Sequence, residues 1–143
     1  MIVYFDTSAI IPIVVEEGSS ATNCQLWDDA DRVVSSRLVY AEARAALAMA
    51  RRMGRIDGEG LRAAVLDFES LHDQLDIVEV APELVRLAGS LAERFSLRGY
   101  DAVHLASAQL VRDADLVFAA GDLGLLEAAQ ELGIATLNPD RPT

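Results

Sequence analysis

Four carboxylates stand where an acidic side chain either costs free energy or faces a ligand crevice. Asp6 directly follows the apolar run IVYF (2–5), and Asp122 lies two residues after DLVFAA (115–120). Both runs read as buried strands, and in an open parallel sheet ligands sit beyond the carboxyl ends of the strands. Asp is also a favoured N-cap, so either residue could simply start the following helix. Glu42 is harder to reduce to local structure. With Arg37 at 0° and about 100° per residue, Glu42 falls near 140°, between Leu38 and Met49 on one side and Met53, Ala46 and Val39 on the other. A carboxylate buried on that apolar face without a partner costs several kcal/mol or takes up a proton, so an internal arginine or a cation is implied. Asp101, in LRGYDAVHLASAQ, precedes a helix with very few polar side chains, where capping is again the local alternative.

Gathered at one sheet edge, four carboxylates repel one another severely unless cations lie between them. The available donors restrict which cation. A single cysteine, Cys24, and two distant histidines, His72 and His104, leave no thiolate or histidine cluster for zinc. Hard cations with oxygen ligands, Mg²⁺ or Mn²⁺, fit the set. An all-carboxylate site of this kind activates water and stabilises an in-line displacement at phosphorus, which points to phosphodiester hydrolysis.

The elements that must bring these acids together are legible in outline. Strands are expected at 2–5, 32–36, 76–80, 115–120 and 134–137. Helices are expected from a Thr7 or Ser8 cap, and at 19–30, 37–53, 58–75, 81–95, 101–111 and 122–133. Gly54 should stop the helix at 37–53 and Pro82 should open the one at 81–95. Short strands alternating with helices, apolar on both faces, predict a parallel sheet with helices on each side. With 143 residues and no linker or repeat, a single domain over 1–143 is expected.

Composition at first argues against a nucleic-acid partner. Twelve basic residues against 23 acidic ones give a net charge of -11, whereas phosphate binding draws on clustered Lys and Arg. All 12 basic residues are arginine. Without lysine, P-loop nucleotide binding, Schiff-base catalysis and a lysine general base are excluded. The apolar opening lacks a basic leader region and is broken by Asp6, and no run reaches the roughly 18 apolar residues of a membrane span. A cytoplasmic location with no membrane contact is therefore expected.

The blocks VYFDTSAII, SSRLVYAEARAAL, LRGYDAVHLASA and LVFAAGDLGLLEAA, in that order over nearly the whole chain, resemble the PIN-domain family. Within it they resemble the VapC-type ribonuclease toxins of bacterial toxin–antitoxin pairs. The resemblance implies a three-layer α/β/α sandwich with a central parallel sheet and RNA cleavage dependent on Mg²⁺ or Mn²⁺. It also implies a homodimer held inactive by a cognate VapB-type antitoxin. The family's acidic quartet falls on Asp6, Glu42, Asp101 and Asp122, and its hydroxyl beside the first acid on Ser8. On that basis Asp6 and Asp101 hold the principal ion, Glu42 helps to hold it or positions the attacking water, and Asp122 completes the shell or a weaker second site. One departure weakens Asp122: the Thr or Ser common two residues before the last acid is Ala120.

The remaining polar residues divide between chemistry and packing. Arg98, in the loop before Asp101, is a candidate contact to an RNA phosphate. Arg37, Arg44, Arg51 and Arg55 form a stripe opposite Glu42, read mainly as a solvated face. His104, one turn after Asp101, is expected to be a hydrogen-bonded core histidine. A receiver-like signalling module also places acids at strand ends, but it needs a lysine that this chain lacks. An inactive PIN-like binding module and an RNA-processing PIN nuclease without an antitoxin remain as alternatives.

Overall fold

Alternation within one central strand sets up the layers. The computed structural model describes residues 1–141; Pro142 and Thr143, the end of the single domain expected over 1–143, lie outside the described residues. The elements run β1 (Ile2–Phe5), α1 (Thr7–Val14), α2 (Ser20–Asp29), β2 (Arg32–Ser36), α3 (Val39–Arg52), α4 (Gly58–Gln74), β3 (Asp76–Val78), α5 (Pro82–Phe95), α6 (Gly99–Val111), β4 (Leu116–Ala119), α7 (Leu123–Glu131) and β5 (Ala135–Leu137). The five strands form one sheet, ordered β3-β2-β1-β4-β5 and parallel throughout.

In β1, Val3 and Phe5 pack against Ala9 and Ile10 of α1, Leu26 and Trp27 of α2, Val39 and Leu47 of α3, and Phe68 of α4. Tyr4, pointing the other way as strand geometry requires, packs with Leu84 and Leu91 of α5, Leu105 of α6 and Leu125 of α7. The result is the expected α/β/α sandwich, with α1–α4 on one face and α5–α7 on the other. Each of these apolar side chains is nearly or wholly buried and contributes about 1.5–3 kcal/mol for a residue of Val, Leu or Phe size.

Several boundaries differ from the sequence expectation, and some differences matter for the site. β3 stops at Val78, because β2 ends at Ser36, its register partner, and the amide of Arg37 closes on the Val78 carbonyl at 2.9 Å. α3 starts at Val39, two residues later than expected, after Ser36 Oγ accepts the Leu38 amide at 3.1 Å. Gly54, at φ +75, takes up the left-handed conformation that ends α3. α1 is capped by Asp6 rather than by Thr7 or Ser8. Its Pro12 lies inside the helix, which ends two residues further on at Val14.

The buried face of α3 is also rotated from the expected one. Val39, Ala43, Leu47 and Ala50 face inward because α3 packs against α1 and α4. Met49 and Met53 are instead 52% and 69% exposed. Glu42 therefore lies at the margin of the buried face and not at its centre. That margin opens onto the carboxyl edge of the sheet.

Candidate active site

β1 lies between β2 and β4, and the chain leaves β1 for β2 on one side and returns to β4 on the other. Neighbouring connections thus diverge above the β1–β4 pair and leave a crevice there. That crevice is an open cleft of about 430 Å³, and all four carboxylates line it: Asp6, Glu42, Asp101 and Asp122. Ser8 and Arg98 line it as well. The spacing of 36, 59 and 21 residues between successive acids closes to one locus because each follows or flanks an element of the same sheet edge.

Asp6 ends β1 and caps α1. Its Oδ2 accepts the Ser8 amide at 3.2 Å and the Ser8 hydroxyl at 2.5 Å, so that oxygen is committed to the helix start. Its Oδ1 faces His104 Nε2 at 3.6 Å. The Ser8 hydroxyl in turn accepts the Gly121 amide at 3.0 Å. Ser8 thereby ties the end of β1 to the turn that carries Asp122, across the diverging strands.

Asp122 does cap its helix: its Oδ1 accepts the Leu125 amide at 2.9 Å. The other oxygen stays free for the cleft and lies 4.0 Å from Arg98 Nη2. Ala120 is fully buried, and the Ser8 hydroxyl, not a side chain of the β4 turn, holds the neighbouring Gly121 amide.

Asp101 does not cap α6, because the helix begins at Gly99 and Arg98 is its N-cap residue, without a side-chain cap bond. The carboxylate sits in the first turn, where the helix dipole favours a negative charge. Arg98 Nε donates to its Oδ2 at 3.0 Å. Burial pushes the Asp101 carboxyl above its ordinary pKa, the bond and charge of Arg98 oppose this, and the nearby charges of Asp6 and Asp122 add to the rise. This carboxyl thus senses both neighbouring acids.

Glu42 meets neither an arginine nor an empty apolar face. Its Oε1 accepts the Thr7 hydroxyl at 3.1 Å and lies 2.6 Å from His104 Nε2. Both of these bonds fall on Oε1, while Oε2 makes no hydrogen bond among the described residues and Glu42 lines the cleft. His104 is fully buried, as a core histidine should be, and its Nδ1 lies 2.8 Å from the Tyr4 hydroxyl. Tyr4 is held by stacking on Phe118, with centroids 5.3 Å apart, and packs edge-on to His104. Burial first of all keeps the Tyr4 hydroxyl protonated, its pKa pushed well above the ordinary 10.0. For His104, burial alone would lower the pKa; the hydrogen bond to Glu42 and the charges of Asp6, Glu42 and Asp101 outweigh it and raise it above 6.5.

The donor set suits a hard divalent cation, since every candidate ligand is a carboxylate oxygen at the mouth of a polar cleft. Among the described residues no three such groups are already drawn to metal-binding spacing. The Arg98 guanidinium occupies the space between two of the acids, against Asp101 and 4.0 Å from Asp122. Arg98 is largely exposed, at 66% of its side chain, so it can swing outward without disturbing the core.

Sequence reasoning missed four contributors. Thr7, Tyr4, Glu17 and Asp140 touch the site or its support. Thr7 stood beside Asp6 in the same motif and was recoverable; Tyr4 was hidden as an ordinary core aromatic. Glu17 and Asp140 lie in irregular segments with no periodic signal. Of the arginine stripe, Arg37 pairs with Glu79, Arg44 bonds Tyr40 at 2.8 Å and lies 3.7 Å from Glu69, and Arg55 bonds Glu17 at 2.8 Å. Three of its four charges are thus matched by acids on the surface.

The chain matches the family model described as the PIN domain over residues 3–132. It is 42% identical over 132 residues to Ribonuclease VapC49 of Mycobacterium tuberculosis (strain ATCC 25618 / H37Rv), covering 92% of each chain. Among solved structures it resembles M. tuberculosis VapC20, a sarcin–ricin loop cleaving toxin, with TM-score 0.69 and 17% identity over 99% of each chain. It also resembles a chain of a toxin–antitoxin complex from Klebsiella pneumoniae, with TM-score 0.66 and 16% identity over 96% of this chain and 97% of that one.

Proposed function

From the premise that the chain belongs to the PIN-domain family, we infer that it is a metal-dependent endoribonuclease acting as the toxin of a VapBC-type toxin–antitoxin pair. The observation that supports this most is the grouping of Asp6, Glu42, Asp101 and Asp122 around one cleft at the carboxyl edge of the sheet. VapC49 is named a ribonuclease, and the fold is shared with a chain of a toxin–antitoxin complex. RNA is the proposed substrate, a VapB-type antitoxin the proposed partner, and the cytoplasm the proposed location. A homodimer is proposed on the family resemblance alone.

The residues divide the work by position. Asp6 and Asp101 would hold Mg²⁺ or Mn²⁺, Glu42 would help to hold it or position the attacking water, and Asp122 would complete the shell or a weaker second site. When bound, a hard divalent ion lowers the pKa of water and neutralises charge developing at phosphorus. Ser8 fixes Asp6 through its Oδ2 at 2.5 Å and holds the Asp122 turn through the Gly121 amide at 3.0 Å. Arg98, exposed at the rim, pairs with a phosphate oxygen of the bound RNA once it leaves Asp101; the planar guanidinium suits that contact. The field at the scissile phosphate is thus set by the bound cation and Arg98, and the net charge of -11 does not describe it.

Sequencing of RNA 5′ ends after induced expression tests this reading. Defined new ends, and growth arrest, are expected from the wild-type chain and not from Asp101→Asn at equal expression. New ends that are unchanged in Asp101→Asn would remove the proposed site from the reaction.

A further inference from the structure

One buried group near the cleft has no part in the proposed division of work. His104 is fully buried, projects from α6 one turn after Asp101, and bonds two residues from different elements. Tyr4 Oη on β1 lies 2.8 Å from its Nδ1, and Glu42 Oε1 on α3 lies 2.6 Å from its Nε2. Thr7 Oγ1 and Asp6 Oδ1 lie further off, at 3.4 Å and 3.6 Å. We propose that His104 is a positioning residue: oriented by Tyr4, it donates its Nε2–H to Glu42 Oε1 and thereby aims Glu42 Oε2 into the cation site. The proposal deepens the metal-nuclease reading and rests on it.

The Glu42 side fixes the proton on the ring. A carboxylate only accepts, so Nε2 must carry a proton to bond Glu42. At the other nitrogen, the Tyr4 hydroxyl donates to a bare Nδ1 or accepts from a protonated one, and the contact at 2.8 Å serves either form. Tyr4, bonded at Nδ1, therefore fixes the orientation of the ring that serves Glu42, the arrangement by which outer groups orient the ligands of metal sites. α3 supplies Glu42 from the margin of its buried face, where a flexible glutamate could otherwise turn to solvent. The Thr7 hydroxyl adds a second donor on the same oxygen at 3.1 Å. With both donors on Oε1, the rotation of the carboxylate is restricted and Oε2 is presented in one direction. A purely structural core histidine would need only to satisfy its own two nitrogens; the proposal requires that loss of the donor be felt at the cation.

The test compares Mn²⁺ binding, followed by electron paramagnetic resonance of the free ion, with steady-state RNA cleavage. Wild type, His104→Leu, His104→Gln, Glu42→Gln and the double variant Glu42→Gln with His104→Leu are measured. His104→Leu is expected to weaken Mn²⁺ roughly tenfold and to lower kcat with little change in KM for RNA. His104→Gln, which retains an N–H donor, restores much of both. In the Glu42→Gln background the His104→Leu change adds nothing further. Unchanged Mn²⁺ affinity in a folded His104→Leu protein, or an undiminished effect without Glu42, overturns the proposal. Should His104→Leu fail to fold, nitrogen NMR of the wild-type ring decides: a proton on Nε2 is required, and an Nδ1–H ring with bare Nε2 overturns it. Wild-type protein that binds no Mn²⁺ at all defeats the metal reading itself, a result distinct from equal binding by wild type and His104→Leu.

Discussion

Ser8 Oγ donates to Asp6 Oδ2 at 2.5 Å while accepting the amide of Gly121 at 3.0 Å. One hydroxyl therefore joins the carboxylate at the end of β1 to the turn that presents Asp122. Ser8→Ala should leave the Gly121 amide without that partner, cost about 1 kcal/mol and lower cleavage by roughly tenfold. Thermal unfolding and initial rates measure the two effects; a normal rate in Ser8→Ala would mean that the link does not order the site.

Asp122 carries two duties on two oxygens, and they can be separated. Asn caps a helix about as well as Asp, whereas Ala does not. Asp122→Asn should unfold at the wild-type temperature yet cleave more slowly; Asp122→Ala should lose about 1 kcal/mol in addition. Calorimetry alongside cleavage assays checks this. Asp122→Asn with full activity would show that only the capping oxygen matters.

Arg98 opposes a cation at Asp101 and, on the proposed reading, assists RNA. Arg98→Gln should therefore tighten Mn²⁺ binding by roughly twofold to fivefold, the size of one exposed ion pair, while raising KM for RNA. Titration with Mn²⁺ and a substrate-dependence series report the two separately. Weaker Mn²⁺ binding in this variant would mean that Arg98 organises Asp101 rather than competing for it.

The pair Arg37–Glu79 joins the turn after β2 to the segment after β3, and its hydrogen bond with Arg37 holds the Glu79 carboxyl below its ordinary 4.5. A carboxyl with a lowered folded-state pKa adds stability above its unfolded value and loses it as the pH falls through the folded one. Both side chains are exposed, so solvent screening keeps the effect small. A carbon-detected NMR titration should find the Glu79 midpoint below 4.5 and return it to the ordinary range in Arg37→Gln.

Fold and site were legible to different depths for physical reasons. Apolar runs such as IVYF and LVFA must be buried on both faces, so a parallel sheet was readable without any contact being known. Asp6 and Asp122 were readable because strand ends in such a sheet meet at one edge. Glu42 was identified for a reason only partly right. Its position on the wheel is central only if Met49 and Met53 belong to the core, whereas they project to solvent. Asp101 reads as a cap from sequence because Gly99 and Tyr100, where α6 begins, carry no start signal of their own. The partner of Glu42 was not readable at all. His104 lies 62 residues away, and only the packing of α6 and α3 against the same sheet edge brings them together.

The central claim is that this acidic cleft cleaves RNA with a divalent ion. It is tested most directly by purified wild-type and Asp101→Asn proteins assayed on RNA in Mn²⁺, then in excess chelator. Wild type should cleave in Mn²⁺, stop in chelator and resume when Mn²⁺ is restored. Asp101→Asn, with an unchanged circular dichroism spectrum, should lose at least about 100-fold in rate, about 2.7 kcal/mol of transition-state stabilisation. Full cleavage by Asp101→Asn, or by wild type in excess chelator, would contradict the account.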